Sequence, residues 1–275
     1  MSLLNLFNKR AGQLKTAIKQ SQEARNKPSH SADNLYKAAY QGYAEVMMDD
    51  PMRADTLYHW GFALLHQARS KTGTEAEKMY SEAIEKFSFC RVINPHYLGA
   101  AIDGGVAYME LARLKKVVVN DKLYDLAKQC FDRANSIQKG TASYNLACIH
   151  ALKGDELTCL SALQDSFQHG SLPVVADIKA DLDLANVVNI LWFTDFIAMV
   201  DAQEQAQAAA LEAARLAKLK AKSSAKHEDD EHADNTGDNL AEKLTEETAE
   251  VAHTDGRSST ENNESNTQDD INERL

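Results

Sequence analysis

The feature that most constrains this chain is a 44-residue period. Ala39-x3-Tyr43-x2-Val46-x4-Pro51 is followed by Ala83-x3-Phe87-x2-Cys90-x4-Pro95 and then by Ala127-x3-Phe131-x2-Ala134. A second landmark keeps the same step, with Trp60-Gly61-x2-Leu64 answered by Gly104-Gly105-x2-Tyr108. Positions i, i+4 and i+7 share one face of an α-helix, so each set puts a small residue, an aromatic and a second small residue in one stripe. The small residues let a neighbouring helix come close, the aromatic fills the space beside it, and proline stops the helix. A hairpin of two such helices cannot bury its apolar face alone and must stack on copies of itself. The spacing therefore predicts an all-α chain of repeated helix pairs.

This pattern resembles the tetratricopeptide repeat, W-x2-L-G-x2-Y…A-x3-F-x2-A…P, over about residues 10–170. Tyr144-Asn145-Leu146-Ala147-x2-His150-x3-Gly154-Asp155 is the clearest match, with Gly154-Asp155 similar to the family's inter-helix turn. Ala147 and Cys159 stand twelve residues apart there, but Gly61 to Ala83 and Gly105 to Ala127 each span 22. The middle units are thus elongated, and in this they resemble the plant mitochondrial outer-membrane import receptor. That receptor is held by a membrane anchor, and no comparable apolar run is found here, so its activity is not carried over at this point. The resemblance implies a right-handed α-solenoid.

Projected backward, the period puts Ala17 at the position of Gly61 and makes the basic, amphipathic start the first helix of unit one, with Asn26–Ser31 as its turn. The alternative is a free targeting or membrane-surface helix. The organisation expected is four helix pairs over 1–51, 52–95, 96–140 and 141–170, and a capping segment over 171–200. An Ala-rich helix over 201–222 and a disordered acidic tail over 223–275 follow. In the capping segment, Leu191, Trp192 and Phe196 are expected to cover the apolar end of the stack.

Charge separates the tail from the rest. Residues 223–275 hold sixteen acids and four bases, which leaves 25 acids and 26 bases in residues 1–222. A near-neutral body with an acidic tail excludes general nucleic-acid affinity, which needs concentrated Lys and Arg. The tail has too little apolar surface to offset the entropy of ordering. The four cysteines, Cys90, Cys130, Cys148 and Cys159, form no C-x-x-C pair and fall inside helical apolar patterns, as buried reduced thiols of a cytoplasmic protein do.

No enzyme chemistry is legible. Gly104-Gly105 lacks the frame of a phosphate loop, and no H-E-x-x-H or paired C-x-x-C offers a metal site. His59 and His66 lie seven apart on one face but have no third ligand in register. No catalytic residue, metal or cofactor is assigned. The expectation is a cytoplasmic scaffold or adaptor, with a peripheral membrane or import factor using the basic first helix as the alternative.

In the tetratricopeptide family the first helix of each unit lines a concave groove. The resemblance therefore implies partner-binding positions at Tyr58, Phe62 and His66, at Ile102, Val106 and Glu110, and at Tyr144 and Cys148. Members that clamp a terminal carboxylate carry Lys, Asn or Arg at such places, and this chain departs from that pattern. The expected partner is a protein segment with apolar or aromatic side chains.

Overall fold

A computed structural model describes the fold of residues 3–229, with side chains over 11–28 and 31–219. The described residues contain helices and no strand. Four hairpins follow in order: α1 (Leu3–Arg25) with α2 (Ser29–Asp49), α3 (Ala54–Arg69) with α4 (Gly73–Ile93), α5 (Leu98–Lys115) with α6 (Lys122–Ile137), and α7 (Ser143–Leu152) with α8 (Glu156–Gln168). The short α9 (Val175–Ala180), a 3-10 turn at Leu182–Leu184 and the long α10 (Leu191–Asp229) complete the chain. Each helix of the repeats packs chiefly on its hairpin partner and then on the next hairpin, an all-α solenoid. The chain divides into two units, the first extending through Ile197 and the second beginning at Ala198.

The periodic residues form the seam of the first unit. Ala39, Ala83 and Ala127 are wholly buried, as are Tyr43, Phe87 and Phe131 and, one turn further, Val46, Cys90 and Ala134 within 2%. Cys159, Leu163 and Ser166 continue the same spacing in α8 and are equally buried. Phe87 and Phe131 each rest on a glycine of the first helix 26 positions earlier. A Cβ on Gly61 would stand 3.0 Å from Phe87, and one on Gly105 would stand 2.4 Å from Phe131. The ten extra residues of the middle units lengthen the helices: α3 and α4 have 16 and 21 residues, against 10 and 13 in α7 and α8.

α1 is built into the stack. Leu14, Ala17, Ser21 and Ala24 form its buried side, and Ser21 Oγ lies 3.0 Å from the Tyr43 hydroxyl. Pro28 precedes α2 and excludes a continuous helix through the turn. No helix among the described residues is long and apolar enough to cross a membrane.

Two expectations change at the closing end. Leu191 is 74% exposed, because it opens the first turn of α10, while Phe196, one of the three residues named for the cover, is buried together with Phe193 and Ile197. Positions i, i+3 and i+4 put Phe193, Phe196 and Ile197 on one face. Phe196 meets Phe167 edge to face at 6.3 Å, and the Trp192 indole N–H donates to Glu156 at 2.8 Å. α10 starts ten residues before the Ala-rich stretch and runs to Asp229, because Ala225 and Lys226 carry the helix past Ser223 and Ser224. The remainder of the acidic tail, 230–275, lies outside the described residues.

A cleft between successive first helices and the closing segment

Arginine recurs with the 44-residue step at Arg69 and Arg113, each in the last turn of a first helix. Arg69 donates from Nε to Glu110 at 3.2 Å and holds the same carboxylate at 3.1 Å through Nη2. The Tyr80 hydroxyl donates to the other Glu110 oxygen at 3.2 Å. At the next layer α7 carries Leu152 where α5 carries Glu110, so that helix brings no carboxylate to Arg113. Asp183 of the closing segment supplies it, accepting from both Nε and Nη2 of Arg113. The segment thus stands in, chemically, for one more repeat. Burial opposes the Arg113 charge, but the hydrogen bonds and charge of Asp183 outweigh it and hold the guanidinium above its ordinary pKa.

Asp181 makes the second tie. Its carboxylate accepts from the Tyr144 hydroxyl at 2.7 Å, from the Cys148 thiol at 3.6 Å and from the Asp183 N–H at 2.9 Å. Burial first, then the neighbouring Asp181, pushes the Cys148 thiol well above its usual pKa, and Tyr144 is raised by burial and by Cys148 and Asp181. Ile178 and Leu184 on either side are wholly buried, so the segment is a fixed wall and not a loose flap.

Between that wall and α5 and α7 lies an open cleft of about 560 Å³. Val106, Glu110, Tyr144 and Cys148 line it, as do Arg69, Arg113, Asp177, Asp181, Leu182 and Asp183. Leu182 is 86% exposed at its lip. Glu110 and Asp183 answer the two arginines, whereas the hydrogen bonds to Asp181 come from neutral groups and Asp177 stands at the exposed rim. The balance of charge favours a cation beside apolar surface.

Four of the eight groove positions read from the sequence therefore meet here. The others do not line this cleft. Tyr58 and Ile102 are buried packing residues, Tyr58 lying 4.8 Å from the Tyr97 ring and against Gly99. Phe62 and His66 are half-buried and meet edge to face at 4.4 Å, with the Arg25 guanidinium 5.2 Å above the Phe62 ring. Arg69, Arg113, Asp177, Asp181, Leu182 and Asp183 were not among the positions expected. The repeated arginine and the missing acid at Leu152 were the available signal.

Among the described residues, Cys148, Asp181 and Asp183 bring three ligand-type atoms within 4.8 Å of one another. A divalent ion there would have to displace Arg113 from Asp183 and ionise a buried thiol. The arrangement is better suited to a hydrogen-bonded latch.

The family described as plant specific mitochondrial import receptor subunit TOM20 matches residues 16–173, more than half of the chain. The chain belongs to this family. The family is named for a receptor subunit and not for an enzyme. The expected cytoplasmic location is overturned by the same match, since the family is that of a mitochondrial import receptor. Residue composition could not show this, because buried thiols and a neutral helical body describe the fold and not the compartment. No curated protein matches closely enough to count as a relative. The match ends at Pro173, so Asp177, Asp181, Leu182 and Asp183 of the cleft wall lie beyond it.

Proposed function

We propose that this protein is a non-enzymatic receptor subunit of mitochondrial import, built of tetratricopeptide-type hairpins, that holds a polypeptide segment in the cleft between α5, α7 and the closing segment. The observation carrying this reading is that equivalent positions of successive first helices, Val106 with Glu110 and Tyr144 with Cys148, line one open cleft in a chain of the import-receptor family. The segment it suits carries apolar side chains, as expected from the sequence, with a Lys or Arg beside them. Leu182, Val106 and Pro173 offer the apolar contact, and Asp177 and Asp181 attract the cation.

Fluorescence anisotropy with a basic amphipathic helical peptide tests this. Leu182→Ala/Asp177→Asn changes two exposed side chains and leaves the ties of Asp181 and Asp183 intact. Affinity should fall about tenfold, the combined effect of losing an apolar contact and an attracting carboxylate. A peptide with its cations replaced by glutamine should bind no better than that variant. Unchanged affinity in the variant removes this cleft as the site. A loss on Phe62→Ala with none on Leu182→Ala transfers the site to α3.

A further inference from the structure

Arg25 extends the arginine series back by one step: Arg25, Arg69 and Arg113 stand 44 residues apart, each in the last turn of a first helix. Tyr36, Tyr80 and Tyr124 keep the same step on the second helices and are buried. In the second hairpin Arg69 and Tyr80 both donate to one carboxylate, that of Glu110. In the third, Arg113 holds Asp183, and both charges act on Tyr124. The first hairpin repeats the donors. Burial pushes the Tyr36 hydroxyl up to about 12, with the neighbouring Arg25 charge opposing and Asp33 adding. The acid, however, changes: α3 carries His66 where α5 carries Glu110, so it brings no carboxylate to this rung. Asp33 belongs to a second ladder. It accepts from Lys71 at 2.7 Å and from Gln67 at 2.8 Å, as Glu77 accepts from Lys115 one step later.

We infer that Arg25, Tyr36 and His66 form a site for a carboxylate side chain of an acidic polypeptide segment, and that the segment is this chain's own residues 269–273. The ligand chemistry follows from the repeat, because the same guanidinium and phenol hold a carboxylate one hairpin later. The surroundings ask for an apolar side chain beside the acid. The Arg25 guanidinium lies 5.2 Å over the half-buried Phe62 ring, which meets His66 edge to face at 4.4 Å. Asp269-Asp270-Ile271-Asn272-Glu273 answers with acids on both sides of an isoleucine, within a stretch, 230–275, of fourteen acids and three bases. Reach permits it. α10 carries the chain at most about 48 Å from Ile197 to Asp229, and residues 230–269 can span roughly 130 Å when extended. A tethered segment acts at an effective concentration on the order of millimolar, which favours it over a free acidic segment of equal affinity. The site shares no residue with the cleft and stands apart from what the cleft binds.

Fluorescence anisotropy with a labelled peptide of residues 264–275, measured on the full chain, tests both the site and its occupant. The wild type should bind the peptide weakly, because its own segment is in place. Asp269→Asn/Asp270→Asn/Glu273→Gln in the full chain should vacate the site and raise peptide affinity at least about tenfold. Adding Arg25→Gln to that variant should return the affinity to the wild-type level or below. Adding His66→Glu instead gives the rung an acid of its own, as Glu110 does for Arg69, and should block the peptide equally without lowering the melting temperature. That second variant keeps the test intact if Arg25→Gln unfolds α1. Equal peptide affinity for the wild type and the tail variant overturns the proposal, as does peptide binding that neither Arg25→Gln nor His66→Glu lowers. Polyglutamate bound equally by the wild type and the tail variant, and lost with Arg25→Gln, assigns the site to an acidic partner and overturns the intramolecular occupant. Leu182→Ala/Asp177→Asn should leave binding of the acidic peptide unchanged, so failure of this site and failure of the cleft are read separately.

Discussion

Gly104 and Gly105 are neighbours in α5 with opposite surroundings. A Cβ on Gly104 would meet Phe87 Cβ at 3.5 Å, an ordinary contact, whereas one on Gly105 would stand 2.4 Å from Phe131 Cε1 and 2.7 Å from two further ring atoms. Phe131 is wholly buried and has nowhere to retreat. Gly104→Ala should therefore stabilise the protein by about 1 kcal/mol through helix propensity. Gly105→Ala should destabilise it by roughly 1–3 kcal/mol through overpacking, despite the same gain in propensity. Thermal denaturation of the two variants checks the opposite signs, and a common sign would refute the seam described here. The sequence showed that glycine recurred where a helix comes close. The 44-residue step aligned Gly105, not Gly104, with Gly61, but it did not show how closely Phe131 approaches, because that depends on the rotation of α5 against α6. The same limit hid the site. Arg113 and Asp183 are 70 residues apart, and no local spacing joins them.

Hairpins were legible because their two landmarks repeat at one interval, and the helices are long enough for the stripe of small and aromatic residues to recur. α10 was legible only in part, since its first turns carry the aromatic cover of the repeats and its remainder is alanine-rich. From Ala202 to Leu219 the side chains are exposed, so composition gives no boundary where helix passes from packed to solvated. The short fourth hairpin offers a test at this scale. His150 on α7 lies 3.4 Å from the Asp155 carboxylate, and the Asp155 N–H donates to the His150 carbonyl at 2.9 Å. Burial lowers the His150 pKa below its ordinary 6.5, the attraction of Asp155 being the smaller effect and Lys128 and Lys153 adding to the lowering. A depressed folded pKa means that the neutral ring is favoured in the native state. Its contribution to stability is complete above about pH 6.5 and is lost as pH falls through the folded value. The wild type should lose thermal stability on acidification from pH 7 to 5 more steeply than His150→Gln, measured by circular dichroism. Parallel losses would remove His150 from the account.

Across the whole chain, charge is partitioned in a way that bears on how a basic segment arrives. Residues 1–222 are balanced, while 230–275 contain fourteen acids and three bases. A charge of that size attracts a cationic peptide over about a Debye length, near 10 Å at 0.1 M salt, and so acts on encounter more than on the bound complex. Truncation after Asp229 should therefore lower the association rate of a basic peptide several-fold at low ionic strength and leave its dissociation rate unchanged. The two proteins should converge as salt is raised, because screening removes the advantage while the short-range contacts of Leu182 and Asp177 persist. Stopped-flow fluorescence separates the two rates. A rise in affinity on truncation would mean the reverse: that the acidic residues occupy the ligand as a competing decoy, and that the cleft works better without them.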